Sequence, residues 1–585
     1  MVNGAAVRAV QDGRGARWRA VLAGVLTGLA GLMVLLALDL PDDLAGLRPD
    51  MFLRLPLEAL VYLAVVLALP RSLGRVRTVL ALVAGLLLGL TAVFRLLDIG
   101  FLAALDRPFD ALVDWRYTKP LISLARDSFG DGLGTAMVAA AALTGILLLV
   151  LLPLSVLRVT RVAARHRGPA ARGLAAVASL WLVMAVLNVQ TGGGAVAANT
   201  TAPYVYGQIS RVPGELEDQR EFEQAADAEE DQPEAQARGL LSGLRGKNVL
   251  FVFVESYGKV ALDGSWFSPG VNTVVARASQ QLKKAGFGSR SAWFTSPTFG
   301  GISWLAHATF HSGLWVDSQQ RYDILMKSPR MTLSKFFGTA GWRPIAVAPS
   351  NNRDWPEGRR FYRFDKVYDS RNIGYKGPRF GYPTMPDQFT LAAFQRLELA
   401  PDRRRPVMAE IDLLSSHTPW SRTPRMVKES TVGDGRVFWP MKAQLPSEEE
   451  IWTSAKSVQE AYGHSIEYSL TALTHFIRTY LDDDDVVVFM GDHQPSTIVS
   501  GENASHETPV TIVARDRHVL EQVAPWGWDR GLRPTPAAPV WRMDQFRDRF
   551  LAAFGGRARK PAQSVSAQRA QAQHVASTGE DPVSR

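Results

Sequence analysis

Hydrophobic positions along this chain follow two regimes. In the first 190 residues they form long runs, Ala20–Leu40, Leu53–Pro70, Thr78–Phe94, Thr135–Leu157 and Leu174–Val189. A helix needs about 20 mostly apolar residues to cross a bilayer, so five spanning helices are predicted. The second and fifth runs are short enough to serve instead as buried helices. Beyond residue 247 the runs become short and rich in β-branched residues: NVLFVFVES, PVMAEIDLLSSH and DVVVFMGDH. Alternating with helical stretches, they predict one large α/β domain with buried parallel strands.

The composition between these runs divides the chain further. Residues 1–190 form the five-span domain. Residues 191–246 form a linker, in which Gly214 to Arg238 holds ten acidic groups against two arginines; this is either solvated chain or a loosely packed helix. Ala195-Val196-Ala197 has the small-residue spacing that signal peptidase prefers, though it reads more simply as a flexible Gly/Ala stretch. The α/β domain covers 247–554, and 555–585, rich in Gln, Ala, Ser and Arg, is expected to be disordered.

Charge supplies a direction. Arg8, Arg14, Arg17 and Arg19 precede the first run; Arg71, Arg75 and Arg77 separate the second from the third; Arg158, Arg161, Arg165, Arg167 and Arg172 separate the fourth from the fifth. The intervening connections carry Asp42, Asp43 and Asp50 or mixed sequence. Positive residues stay inside, so the N-terminus is expected to be cytoplasmic, and five crossings place everything after Val189 outside. The three arginine-rich stretches sum to +11 against a formal net charge of +9, leaving about −2 for the rest of the chain, so the basic balance is a topology signal and argues against a nucleic-acid partner. Zero cysteines suits an extracytoplasmic domain without unpaired thiols and excludes thiolate-metal chemistry. The Ala, Arg and Gly content points to a bacterial source.

The chemistry gathers at strand ends. Ligands of open α/β sheets bind beyond the carboxyl ends of the strands, where Glu255, His417, Asp492 and His493 stand. A carboxylate closing an apolar strand is costly unless it meets a cation or donor. Carboxylate plus imidazole suits manganese, magnesium or zinc; a plain hydrogen-bonded turn at Asp492-His493 is the minority reading. In SPTFGGISWLAHATF, Gly300-Gly301 allows a sharp turn and Ser303 opens a helical run. A hydroxyl there faces the positive end of a helix dipole and suits a phosphate; a serine in that position also serves as a plain N-cap. His307 is four residues on and shares Ser303's helix face, looking into the site or simply packing.

The order strand-Glu-Ser, Gly-Gly-x-Ser before a helix, Ser-His-Thr-Pro and Gly-Asp-His resembles the alkaline phosphatase and sulfatase superfamily. With five spans ahead of it, the architecture is similar to the lipoteichoic acid synthase family of membrane phosphoglycerol transferases. That resemblance implies a sulfatase-like extracytoplasmic domain with one divalent metal, often manganese, held by Glu255, Ser303, Asp492 and His493. It implies Ser303 as nucleophile, His417 as a phosphate contact, and Trp355 with an arginine, Arg359 or Arg353, at the head group; Arg360 competes for that role. It further implies a phospholipid donor such as phosphatidylglycerol, a cell-envelope glycan or glycolipid acceptor, and a place in the bacterial inner membrane. Ser303 departs from the family in its neighbours, Ile302 and Trp304, where a basic residue usually precedes and an acidic one follows; His307 stands in that region. A phosphoethanolamine transferase or sulfatase-type hydrolase is the alternative reading. No cysteine is present for staples or formylglycine, and Ser303 lacks a Ser-x-Pro-x-Arg context. A non-catalytic membrane-anchored binding domain is the third.

Overall fold

The computed structural model describes residues 3–41, 47–118, 122, 131–191, 194–228, 239–382, 384–401 and 405–555. The tail expected to be disordered, Asp42 and Asp43, and the acidic stretch 229–238 lie outside them. Helices α1 (Asn3–Asp39), α2 (Leu57–Ala68), α3 (Gly74–Leu105), α4 (Asp131–Arg165) and α5 (Arg167–Val186) form an apolar bundle. α1, α3, α4 and α5 are long and apolar enough to cross a membrane. They turn Leu22, Val25, Val79, Leu87, Ile146 and Leu182 outward, as a lipid-facing surface requires.

α2 departs from the five-span expectation. Its 12 residues measure about 18 Å against roughly 30 Å of hydrocarbon. Its ends nevertheless meet both ends of the bundle. Leu55–Pro56, just before it, pairs with Ala197–Ala198, just after α5, and Glu58 accepts hydrogen bonds from the Thr201 and Ala202 amides at 2.9 Å. At its far end the Leu69 carbonyl accepts from Arg77 at 2.8 Å and from Arg167 at 2.6 Å, the starts of α3 and α5. The chain thus runs between the same two ends five times and leaves α5 opposite to where α1 begins. Ala195-Val196-Ala197 is held in this junction: Val196 bonds Val189 and Leu55 through its backbone.

α3 extends past Phe94, where its apolar run stops. Arg95 donates to the carbonyls of Leu38, at 3.0 Å, and Leu40. Asp98 accepts from the Phe109 amide at 2.8 Å and the Tyr204 hydroxyl at 2.5 Å. These bonds satisfy the polar groups that end the hydropathic signal, so the helix continues beyond the bundle. Its last turn docks on the α/β domain. Phe101, Phe109 and Tyr117 share a buried cluster with Leu305 and Ala308, and the Thr497 hydroxyl donates to the Ala103 carbonyl at 2.7 Å. The linker is helical over α6 (Thr201–Asp227), anchored by buried Phe222 and Ala226 and an Asp218–Arg321 ion pair of 2.5 Å.

The α/β domain is built on nine strands: β1 (Asn248–Val254), β2 (Gly288–Thr295), β3 (Arg343–Ala348), β4 (Lys366–Asp369), β5 (Val407–Leu413), β6 (Asp485–Gly491), β7 (Glu507–Ala514), β8 (Asp529–Arg530) and β9 (Val540–Arg542). Their order is β8-β2-β7-β6-β1-β5-β3-β4, with β9 beside β2. β6, β1, β5, β3 and β4 run parallel, while β7 is antiparallel to both neighbours. Strand side chains alternate between faces. Leu250, Val252 and Val254 join the core beneath helices Ser268–Lys284 and Ala455–Tyr480. Val249, Phe251 and Phe253 join the opposite core with Ala306 and Phe310 of α7 (Ser303–Ser312). The two central strands, β1 and β6, thereby deliver their carboxyl ends beside the start of α7.

Candidate metal centre and nucleophile

Glu255 follows β1 and Asp492-His493 follows β6; the register Val254 to Gly491 sets these ends side by side. Ser303 arrives from the loop ahead of α7. Ile302, just before it, has φ 63°, and Ser256, just after Glu255, has φ 55°. Left-handed backbone is an outlier for a β-branched residue and persists only where the surroundings hold it. Strain thus sits beside two of the candidate ligands. Gly300 has φ 71°, and a Cβ there would stand 1.8 Å from the Ala104 carbonyl of α3, so close approach and conformation both demand glycine.

The four groups meet. The Ser303 hydroxyl donates to Glu255 Oε2 at 3.0 Å and lies 3.2 Å from His493 Nε2. His493 Nε2 is 3.3 Å from Glu255 Oε1 and 3.4 Å from Asp492 Oδ2. Asp492 Oδ1 accepts from the amides of Ser256, at 2.7 Å, and His493, at 2.9 Å. His493 Nδ1 faces the Gln494 carbonyl at 2.8 Å. A carbonyl can only accept, so Nδ1 carries the proton and directs the other nitrogen to the cluster. Asp492 Oδ2 is fully buried without a hydrogen-bond partner among the described residues. Orphaned, buried and aimed at an imidazole and a second carboxylate, it marks where a cation fits.

Electrostatics agree. Burial and the nearby Glu255 raise the Asp492 carboxyl above its ordinary range. For Glu255, burial pushes upward, but the His417 and His493 imidazoles outweigh it and hold the group low. For His493, burial opposes protonation, while Asp492 and Glu255 more than reverse this. A proton on His493 partly neutralises two buried carboxylates, a task a divalent cation performs better.

His417 lies close enough to Glu255 for their charges to interact, and burial keeps it below its ordinary value. Its Nδ1 bonds the Thr418 carbonyl, and its ring stacks on Tyr382 at 3.9 Å. Trp355 packs on Tyr362 at 5.7 Å between ring centroids. Arg353 is exposed, and Arg359 is 55% exposed and pairs with Asp354 at 3.2 Å. Neither guanidinium is hydrogen-bonded or ion-paired to the centre. His464 and His475 pair with Glu467 and Glu429 on the outside of the domain, while His506 tilts against Phe299 at 5.3 Å.

His307 belongs to a second group. Its Nδ1 is 3.0 Å from Glu410 Oε1 and 3.8 Å from Asp412 Oδ1, and its ring stacks on Phe253 at 3.9 Å. Glu410 Oε2 lies 2.8 Å from Nε2 of fully buried His311. Burial and the charge of Glu410 raise Asp412 even though His307 opposes the rise. His311, Glu410 and Asp412 escape notice in the sequence, although the i, i+4 spacing from His307 and the Glu-x-Asp alternation inside an apolar strand are signals for them.

No family model matches the chain, and no curated protein matches it. Among solved structures it is similar to the lipoteichoic acid synthase LtaP from Listeria monocytogenes, with 16% identity over 55% of this chain and 74% of that one, at a TM-score of 0.37. It is also similar to the Streptococcus pyogenes phosphoglycerol transferase GacH in complex with sn-glycerol-1-phosphate, with 12% identity over 61% and 90%, TM-score 0.35. A third is the C-terminal periplasmic domain of EcEptC from Escherichia coli, with 12% identity over 53% and 82%, TM-score 0.33. At such identities and TM-scores none of them carries a residue role to this chain.

Proposed function

We propose that the protein is a membrane-anchored, metal-dependent transferase that moves a phosphoglycerol-like phospholipid head group to an extracytoplasmic acceptor through a phospho-serine intermediate. The observation that carries this reading is the Ser303 hydroxyl, 3.0 Å from Glu255 and 3.2 Å from His493 Nε2, at a helix start behind a left-handed isoleucine. A hydroxyl set among ligand atoms is poised as a nucleophile. The sequence motifs add the resemblance to lipoteichoic acid synthases and their alkaline phosphatase-like relatives.

The residues divide the work as follows. Glu255, Asp492, His493 and Ser303 would hold one divalent cation, manganese on the family resemblance; bound there, it would lower the pKa of the hydroxyl and neutralise charge on a phosphate. Ser303 Oγ attacks phosphorus as its proton departs. The bond from phosphorus to the diacylglycerol oxygen breaks, and diacylglycerol leaves with a proton. His417 has its Nδ1–H committed to the Thr418 carbonyl, so it would donate Nε2–H to a phosphate oxygen in its protonated form, which the Glu255 charge favours, and Trp355 with Arg353 or Arg359 would approach the head group. An acceptor hydroxyl then attacks the phospho-serine, its proton is released, and Ser303 regains one. Ile302 and Gly300 keep Oγ in place throughout. With the arginine-rich ends of the bundle inside, five traverses put this chemistry outside a bacterial inner membrane.

The test uses the full-length chain in detergent with manganese and fluorescent phosphatidylglycerol, compared with Ser303→Ala, and read by lipid turnover and intact mass. The expected result is metal-dependent release of diacylglycerol and a phosphoglycerol adduct on the wild type alone. Turnover of phosphatidylethanolamine but not phosphatidylglycerol would change the head group. Absence of turnover on any phospholipid, with no bound metal, would leave a binding domain.

A further inference from the structure

We infer that His307, His311, Glu410 and Asp412 form a second divalent-cation site, one turn and two turns along α7 from the nucleophile and distinct from the centre built on Glu255, Asp492 and His493. The inference begins with two carboxylates where the strand pattern calls for apolar groups. Met408, Glu410 and Asp412 share one face of β5, and the partners of Glu410 and Asp412 across the sheet are Phe251 and Phe253 on β1 and Ala346 on β3. Met408, Phe251 and Phe253 are buried on that face. Two acidic groups in such surroundings need compensation.

Compensation comes from α7, where His307 and His311 lie on one helix face. Glu410 reaches both, at 3.0 Å to His307 Nδ1 and 2.8 Å to His311 Nε2, and Asp412 Oδ1 stands 3.8 Å from His307 Nδ1. Nitrogen and oxygen ligands about 2.0–2.2 Å from a tetrahedral zinc lie roughly 3.3 Å apart, and these separations bracket that value. The hydrogen bonding is incomplete in the manner of a ligand set. Asp412 Oδ1 and both ring nitrogens of His311 lack a hydrogen-bond partner among the described residues. The His311–Glu410 contact is close but misaligned for a hydrogen bond, a geometry that a shared cation satisfies. Glu410 is 8% exposed and His311 0%.

Two imidazoles with two carboxylates and no thiolate suit zinc, manganese or iron(II), and a divalent charge would neutralise the carboxylates. One ligand atom from each of His307, Glu410 and Asp412 lies within 4.8 Å of the others, and His311 reaches this trio through its contact with Glu410. Such a cation would pin α7 to β5, holding the helix that opens with Ser303. The competing account is a network of protons alone, with imidazolium in place of the cation.

Stoichiometry separates them. The full-length chain is stripped with chelator, titrated with zinc, and its retained metal is measured by mass spectrometry beside Asp412→Asn, His307→Gln and Asp492→Asn. The expected result is two equivalents on the wild type and one on each variant. A wild type that binds one equivalent, retained by Asp412→Asn and lost by Asp492→Asn, overturns the second site and leaves the first. One equivalent with the reverse pattern keeps the second site and removes the first, so failures of the two centres are distinguishable. Where a variant does not fold, the other substitution at the cluster and the wild-type count decide.

Discussion

Gly300→Ala strikes where α3 meets the loop ahead of Ser303. The new Cβ would lie 1.8 Å from the Ala104 carbonyl oxygen, 3.0 Å from its carbon and 3.4 Å from Ser496 Cα. Two of these are backbone atoms of a docked helix and cannot rotate away. Relief requires the loop or the end of α3 to shift by more than about 1 Å. Alanine at φ 71° costs roughly 1–2 kcal/mol, and separating the surfaces endangers the Thr497 bond to Ala103, worth about 1 kcal/mol. The sum is about 2–3 kcal/mol, of which about 1 kcal/mol falls on docking. A nucleophile displaced by 1 Å loses on the order of 100-fold in rate. The assay is turnover of fluorescent phospholipid by the full-length variant, with zinc or manganese content measured alongside. Metal content should fall less than turnover, because three of the four ligands, Glu255, Asp492 and His493, lie on other loops. Gly300→Asn separates the causes: asparagine tolerates left-handed backbone yet carries the same Cβ, so it should be nearly as impaired. Wild-type turnover by Gly300→Ala would refute the claim that α3 positions the nucleophile loop.

Asp492→Asn should bind metal on the order of 100-fold less tightly or worse, because an amide replaces the orphaned oxygen. Metal-free, it should melt above metal-free wild type, since it removes one of two facing buried carboxylates; calorimetry with and without manganese reads both effects. Asp387 is buried where the Ser469 hydroxyl donates to it at 2.5 Å, and burial raises its carboxyl from 3.8 to about 6. The folded chain therefore holds this proton more tightly than the unfolded chain. The associated stability is full below 3.8 and lost as pH rises through 6, a change of roughly 3 kcal/mol. Asp387→Asn should flatten denaturant midpoints between pH 4 and 7, and an unaltered pH dependence would contradict the burial argument. Phe251→Ala, in contact with Phe310, Phe337 and Phe550, should cost about 3–5 kcal/mol in chemical denaturation.

The strand ends were legible because buried parallel strands announce themselves as apolar runs and a polar residue closing one needs a reason. Glu255, Asp492 and His493 become candidates in this way, and Ser303 through the glycines before it. Glu410 and Asp412 were hidden by the same logic: they lie inside PVMAEIDLL, and their partners on α7 are about a hundred residues earlier, a separation no local pattern expresses. The apolar run of α3 stops at Phe94 for a related reason. Arg95 and Asp98 end an apolar count, whereas the carbonyls of Leu38 and Leu40 and the hydroxyl of Tyr204 that satisfy them come from other elements. The short α2 defeats a length rule, because one end is met by Arg77 and Arg167 and the other by Ala197–Ala198 and the Thr201 amide, at depths hydropathy does not report. Residue type favours Arg359, but its side chain points to solvent and Asp354.

The overshoot of α3 sets a height. Arg95 lies level with the end of α1, and Ala104, nine residues further along, stands about 14 Å above it at 1.5 Å per residue. The interfacial layer of one leaflet is only about 5–8 Å deep. If Ser303 draws on a phospholipid, the lipid must rise partly out of its leaflet to bring phosphorus to the hydroxyl. Each methylene drawn into water costs about 0.8 kcal/mol, so acyl length becomes a kinetic variable. Donors with short chains, and bilayers whose curvature loosens lipid packing, should turn over faster than long-chain donors in flat membranes.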